Sequence, residues 1–294
     1  MLTIVGIFVV FLAVMGGYKL EGGNLSVLFQ PAEFLIIGGA ALGSFLIASP
    51  RHVRREVFRN LPLLFKKERD SKQIFLDILL LLFALMTKFR REGAIPVEVI
   101  VNEPERSALF KKYPEILKRE ELVRFICDNF KLYITIDIDP HEFDHLMEID
   151  IETQRQQAMV PPQALAKLAD SLPGLGIVAA VLGVVLSMAK MNEPPEVLGH
   201  SVGAALVGTF LGVLGCYGFV GPMSTKLEHQ IQEKEARLNV IRTTLGAMAV
   251  GMPPAMAVES GRRAIPSEYR PTFEELEKAL SSGRKKAHHS EGQT

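Results

Sequence analysis

Hydrophobic and polar positions are not mixed evenly along this chain. They separate into four apolar stretches, residues 2–18, 32–49, 172–189 and 201–223, uncharged but for the Glu33 that opens the second, two on each side of a charged block. Each stretch approaches the ~20 residues that a helix needs to cross ~30 Å of hydrocarbon. The pattern predicts an all-α integral membrane protein with four transmembrane helices and a helical cytoplasmic domain. No stretch carries an acid or a base in its interior. Residues that bind or relay ions inside a bilayer are usually ionisable, so such a chain either moves no ions or borrows its ionisable group from another subunit.

The pattern also divides the rest of the chain. The first two spans occupy residues 1–49, a cytoplasmic helical domain 50–170, the last two spans 171–223 and a C-terminal helical region 224–280, with a polar tail at 281–294 expected to be disordered. A fifth apolar run, Ile74 to Met86, contains Asp77 and is flanked by Lys and Arg. A central Asp costs ~2.5 to 3.5 kcal/mol on the lenient insertion scale, so the run reads as a buried helix of the cytoplasmic domain. Breaks are expected at Pro96, Pro104, Pro114, Pro140 and Pro161-Pro162, because proline removes a backbone donor and restricts the residue before it. Leu227, Ile231, Leu238, Ile241, Leu245 and Met248 recur at helical spacing, one apolar stripe on a long helix leaving the membrane.

The bulk composition, 294 residues with 48% hydrophobic content and zero formal net charge, would suit a soluble protein, and only the distribution argues otherwise. The first span lacks a basic n-region and a small-x-small cleavage site, so it reads as retained rather than as a signal peptide. Arg51, Arg54, Arg55, Arg59, Lys66 and Lys67 follow the second span, and Lys226, Lys234 and Arg237 follow the fourth, while the short connectors hold only Lys19 and Lys190. That asymmetry places the central block and both termini in the cytoplasm. Cys127 and Cys216 then read as packing residues rather than a disulfide. With no Trp present, Tyr18 and the flanking cations are the expected anchors at the lipid surface. The basic Arg284-Lys285-Lys286 could touch anionic lipid or simply solubilise the tail. Nothing points to nucleic acid.

Small residues cluster in three spans: Gly38, Gly39, Ala40, Ala41, Gly43 and Ser44 in the second, Gly176, Ala179, Ala180, Gly183 and Ser187 in the third, and Ala205, Gly208, Gly212 and Gly215 in the fourth. Such faces let backbones approach closely and are helix contact surfaces. For the second span, packing within the chain and contact with other subunits weigh equally. For the third and fourth, contact with other subunits is expected. Pro173 and Pro222 stand at the cytoplasmic ends of these spans, where proline caps or kinks a helix. Thr209 places a hydroxyl near mid-span, which by itself usually bonds the i−4 carbonyl of its own helix.

His141-Glu142-Phe143-Asp144-His145 matches HExxH, the zinc-protease motif in which two His at i and i+4 hold the metal and Glu activates water. Its acidic, polar context is poor for a walled cleft, and a third ligand is not evident beyond Glu148, Asp150 and Glu152. No P-loop, GxSxG or CxxC accompanies it, so the chain is not expected to be an enzyme.

Several ordered motifs resemble the MotA family, the A subunits of the bacterial flagellar stator. These are Pro31-Ala32-Glu33, the run Asp170-Ser171-Leu172-Pro173-Gly174-Leu175-Gly176-Ile177-Val178-Ala179-Ala180, Val207-Gly208-Thr209-Phe210-Leu211-Gly212 with Tyr217-Gly218-Phe219 and Pro222, Leu61-Pro62-Leu63-Leu64-Phe65, Pro254-Ala255-Met256-Ala257-Val258-Glu259, and Arg270-Pro271-Thr272-Phe273. The resemblance implies a ring of A subunits, a pentamer, around two single-span B subunits of the MotB type. Each B subunit supplies the intramembrane Asp that carries the ion. It further implies that Pro173 and Pro222 couple protonation to movement, and that Ala180 and Thr209 line the ion path. Sodium-driven relatives carry Thr where this chain has Ala180, so the expected ion is the proton, with no cofactor. Arg90 and Glu98 match the charged pair that engages the rotor protein FliG, and Asp150 stands where relatives often carry Glu. The implied location is the bacterial inner membrane. The related ExbB and TolQ energisers, with three spans and shorter chains, are the alternative.

Overall fold

The computed structural model describes residues 2–65 and 71–291, with side chains except at position 63 and at 283–291. Lys66 and Lys67, part of the basic flank used above, lie outside the described residues, as do 292–294. Among the described residues there is no strand. In chain order the helices are α1 (Leu2–Leu20), α2 (Leu25–Leu28), α3 (Pro31–Ala48), α4 (Arg51–Asn60), α5 (Lys72–Glu92), α6 (Ala94–Asn102), α7 (Ala108–Lys111), α8 (Pro114–Leu117), α9 (Glu120–Thr135), α10 (Pro140–Met188), α11 (Pro195–Leu214), α12 (Gly221–Ala249), α13 (Pro254–Ala264) and α14 (Phe273–Glu291). A 3₁₀ turn, Leu61–Phe65, follows α4, and a π-helical segment, Gly215–Val220, joins α11 to α12. Four helical stretches are long and apolar enough to span a membrane: Leu2–Leu20, Leu25–Ala48, and parts of Pro140–Met188 and Pro195–Ala249.

The chain forms two compact units. The first comprises Met1–Lys67 with Gln157–Ile231 and contains all four apolar stretches. Here α3 starts with Pro31 at its first position, where the missing N–H is one that the helix leaves unpaired in any case. Ile37 and Ala41 of α3 are buried in a cluster with Ala169, Leu172 and Ala179 of α10 and with Cys216. A second cluster joins Phe45, Val57 and Leu64 to Leu165 and Leu227. No residue of α1 is fully buried. Its N-terminal end is tied down by Lys226, whose ammonium donates to the Thr3 hydroxyl and, at 2.5 Å, to the carbonyl of Leu64.

The second unit comprises Glu68–Gln156 with Gln232–Thr294. Its centre is α5, where Ile74, Phe75, Ile78, Leu79, Leu81, Leu82, Phe83, Leu85 and Met86 are all buried. Partners come from α6, α8, α13 and α14, and from Phe143, Met147, Leu238, Ile241 and Leu245. The apolar run with Asp77 is therefore the core helix of this unit. Asp77 stays at the edge of this core, accepting a 2.7 Å hydrogen bond from Gln73, and burial raises its carboxyl above the usual Asp range. Burial, aided by the Asp77 charge, pushes Tyr113 up to about 12. The predicted stripe on α12 is present, with Leu238, Ile241, Leu245 and Met248 buried in this unit and Leu227 in the first. The start of α14 is a reciprocal capping box. The Thr272 N–H donates to Glu275 Oε2 at 2.7 Å, and the Glu275 N–H donates to Thr272 Oγ1 at 3.2 Å.

Three expectations change. Pro161 and Pro162 do not break a helix, and Pro173 does not cap one, because all three lie inside the 49-residue α10. Pro161 and Pro162 are buried, and the Ser224 hydroxyl donates to the Pro162 carbonyl at 2.7 Å, so packing outweighs the ~3 kcal/mol propensity cost of an interior proline. Pro96 falls within the first turn of α6, where proline is tolerated, while Pro104 lies between helices and Pro114 and Pro140 begin them. The polar tail continues α14 as far as Glu291, since Arg, Lys, Ala and Glu all favour the helix.

Candidate functional site

In the first unit α10 and α11 meet along a seam of close backbone approach. A Cβ added at Gly176 would stand 2.7 Å from the Gly208 carbonyl oxygen and 3.1 Å from Gly212 Cα. One at Gly212 would stand 2.5 Å from the Leu172 carbonyl oxygen, and one at Gly183 2.6 Å from Ala205 Cβ. Real Cβ atoms cannot occupy those places, so glycine is what lets the two helices touch. The small faces of the third and fourth spans, expected to meet other subunits, thus meet each other within the chain. In the second span the reverse holds. Gly38, Gly39 and Gly43 face open space, and only Ala41 of that cluster is buried.

The seam brings Ala180 and Thr209 together. Ala180 is buried, its amide nitrogen 3.1 Å from where a Cβ at Gly208 would lie, and the Thr209 Cα is 3.2 Å from that of an alanine at position 176. The hydroxyl of Thr209 makes no hydrogen bond among the described residues, against the usual i−4 habit. Ser187 and Thr225, by contrast, each bond a carbonyl of their own helix. Pro173, next to Leu172, is half-buried in α10. Pro222 is exposed and lines a groove with Asp170, Tyr217, Lys226 and His229. It also stands one residue beyond the π segment's cap, Gly221, whose N–H reaches back to the Cys216 carbonyl. A proline cannot supply the donor that the preceding turn needs, and the wider π turn absorbs the mismatch.

Glu33 is the residue that the sequence pattern failed to single out. It sits in the first turn of α3, so it was read as opening the span rather than belonging to its interior. Instead it is only 7% exposed, and its Oε2 is buried with no hydrogen-bond partner. That oxygen occupies the space beside Gly208, 2.5 Å from where a Cβ would be built, while Oε1 is 3.7 Å from the corresponding point on Gly183. The available signal was a lone acid in an apolar helix opposite glycines in two others.

In the second unit, Arg90 and Glu98 flank the turn at Gly93, whose φ of 84° ends α5 and begins α6. Arg90 is exposed and donates to the carbonyls of Gly251 and Met252 at 2.7 and 3.2 Å, while Glu98 is exposed on α6. Asp150, exposed on α10, accepts a 3.0 Å hydrogen bond from Gln154. The HExxH segment is the first turns of α10, with Phe143 in the core. Its Asp144 is bound by Arg242 through two hydrogen bonds of 2.8 and 2.6 Å, which hold the carboxyl below the usual Asp range. His145 lies 3.6 Å from Glu148, and among the described residues no three His, Cys, Asp or Glu side chains gather as a metal site. Here the motif serves packing and an ion pair.

Four apolar spans, a glycine seam between two of them and a separately packed helical unit define an α-helical integral membrane protein. The model of the motility protein A N-terminal region matches residues 4–93, and that of the MotA/TolQ/ExbB proton channel family matches residues 118–240. The chain is 39% identical to motility protein A of Salmonella typhimurium, over 97% of this chain and 96% of the relative. It is 40% identical to the Escherichia coli protein of that name, over 94% of each. Among solved structures, the MotAB complex of C. jejuni matches with a TM-score of 0.76 at 19% identity, covering 92% of this chain and 98% of the other. The flagellar MotAB stator complex of Bacillus subtilis matches with 0.74 at 21%, covering 93% and 99%. This chain belongs to the motility protein A branch of the MotA/TolQ/ExbB proton channel family.

Proposed function

We propose that this chain is the A subunit of a flagellar stator. With a single-span MotB-type partner it forms a proton channel whose ion flow is converted into rotation and torque on the rotor protein FliG. The observation that carries this reading is the third span. Ile177, Val178, Val181, Leu182, Val185 and Leu186 leave its outer face exposed and apolar, without an ionisable group. The carboxyl of Glu33 is turned into the chain's own seam. An ion crossing along that outer face needs an acid from another chain, which is the part that the intramembrane Asp of a B subunit would play.

In this reading Ala180 and Thr209, set in the seam behind that face, back the wall of the path, and the Thr209 hydroxyl, which makes no hydrogen bond among the described residues, is free to bond a passing proton carrier. Pro173 and Pro222 mark where the helices give. One charge crossing 100 mV releases ~2.3 kcal/mol, enough to bias a two-state packing and not enough to unfold one. Arg90 and Glu98, exposed around one turn, present opposite charges to the rotor, a contact that can be made and broken because neither is deeply buried. Asp150 adds a further exposed charge. A pentameric ring in the bacterial inner membrane, with both termini cytoplasmic, completes the assembly. A match to the motility protein A N-terminal region favours this over an ExbB- or TolQ-like energiser.

The test is to express the chain with its cognate B subunit in a stator-deleted flagellated host. Swimming without sodium is expected. Paralysis despite stable membrane assembly would shift the reading to the transport energisers, and dependence on sodium would overturn the choice of ion.

A further inference from the structure

We propose that Glu33 is a proton-binding site of this chain, holding a proton while α3, α10 and α11 are packed on it and giving that proton up when the seam parts. The placement is specific. The carboxyl fills the gap left by the absent side chain of Gly208 and lies beside Gly183, so it touches two spans other than its own. Gly183 lies roughly 8 Å inside the Met188 end of α10 at 1.5 Å per residue, so the carboxyl sits within the apolar length of that helix.

The field of α3's own N-terminus, in whose first turn Glu33 sits, favours a charge there modestly, but the side chains that face it offer no counter-charge. From α10 come Gly183 and Ala179, from α11 Ala205 and Gly208, and one turn along α3 Ile37, none of them titratable. An ionised carboxylate with one oxygen walled off and unbonded is the costly arrangement that buried charges avoid by pairing or by taking up a proton. The neutral acid fits this gap without a partner charge. When α10 and α11 separate, water reaches the carboxyl, the O–H bond breaks, the proton passes to that water, and a carboxylate remains. Closure reverses the step, taking one proton from water.

The inference rests on the ion-path reading above and makes the packing of the seam sensitive to external pH. Glycine at 208 is then required by the carboxyl as well as by the backbone contact.

The test uses the A–B complex reconstituted in lipid, with infrared difference spectra in H2O and D2O at neutral pH. The expected result is a protonated carboxyl C=O band that shifts on deuteration and is absent from Glu33→Gln. Swimming of the Glu33→Gln host should depend less on external pH than the parent. Identical spectra for parent and Glu33→Gln would mean an ionised Glu33 and would overturn the proposal. If Glu33→Gln does not assemble, Glu33→Asp must move the band, and an unmoved band is equally contrary. Gly208→Ala must also perturb the band, since its methyl would take the place of the acid. The two readings fail separately. A Glu33 band in a complex that drives no swimming keeps the proton site and discards the stator, whereas swimming without the band does the reverse.

Discussion

The glycines of the seam and the glycines of the second span are chemically the same and physically opposite. At Gly212 an added methyl meets the Leu172 carbonyl oxygen at 2.5 Å, a backbone atom that cannot swing aside, while at Gly38 it meets nothing. Gly212→Ala should therefore lower the thermal midpoint of the detergent-solubilised chain by the equivalent of ~1–3 kcal/mol, the range for overpacking. Gly38→Ala should stay within about 0.5 kcal/mol, as for an open site. Equal effects would contradict the packing described. Charge is similarly local. Hydrogen bonds from Arg242 hold the Asp144 carboxyl below its ordinary 3.8, so the folded form prefers it ionised. That contribution is fully present above 3.8 and is lost as pH falls below it. With the Asp144 side chain 41% exposed, less than ~1 kcal/mol is at stake. Asp144→Asn should flatten the acid limb of the stability profile, and an unchanged limb would show that the pair contributes nothing. Cys127, pushed up to about 12 by burial, should resist thiol reagents until the fold opens.

Helix identities were legible in the sequence where one property decided them, and illegible where three helices had to be placed first. Span length and the absence of charge were enough for the four membrane stretches. The Asp and flanking cations were enough to withdraw α5 from the bilayer. The stripe on α12 followed from spacing alone. By contrast, Pro161-Pro162 read as a stop, yet packing against Ser224 carries α10 through them. Nor does spacing reveal which small face meets which, so the faces of the third and fourth spans were assigned to other subunits when they meet each other. The burial of Glu33 depends on the mutual register of α3, α10 and α11, which no single segment encodes. The π segment is a further case. Gly215, Gly218, Gly221 and Pro222 are all visible, but the wider turn emerges only from fitting α11 to α12. Since that segment stands between the seam and the groove lined by Asp170, Lys226 and His229, Pro222→Ala should keep normal membrane levels while swimming falls by at least tenfold. Undiminished swimming would remove Pro222 from the coupling route.

As a whole, the chain joins a membrane unit with an unsatisfied apolar face to a well-packed helical body that exposes Arg90 and Glu98. Sequence motifs spread over most of the length made the family legible, and models of both its halves agree. If the exposed charges engage a rotor, Arg90→Glu and Glu98→Lys should each reduce swimming without reducing membrane assembly, and the reduction should be relieved by the opposite charge change on the rotor. No relief by any such change would mean that the two act in folding rather than in contact. The central claim is that this chain turns a motor only as the wall around an acid supplied by its partner. The most direct measurement is the rotation of single tethered cells of a stator-deleted host, in sodium-free medium, as the chain and its B subunit are induced together. The account predicts that speed rises in equal steps, collapses with a protonophore, and is absent when the B subunit's intramembrane Asp is replaced by Asn. Rotation by this chain alone, or rotation that survives loss of that Asp, would contradict it.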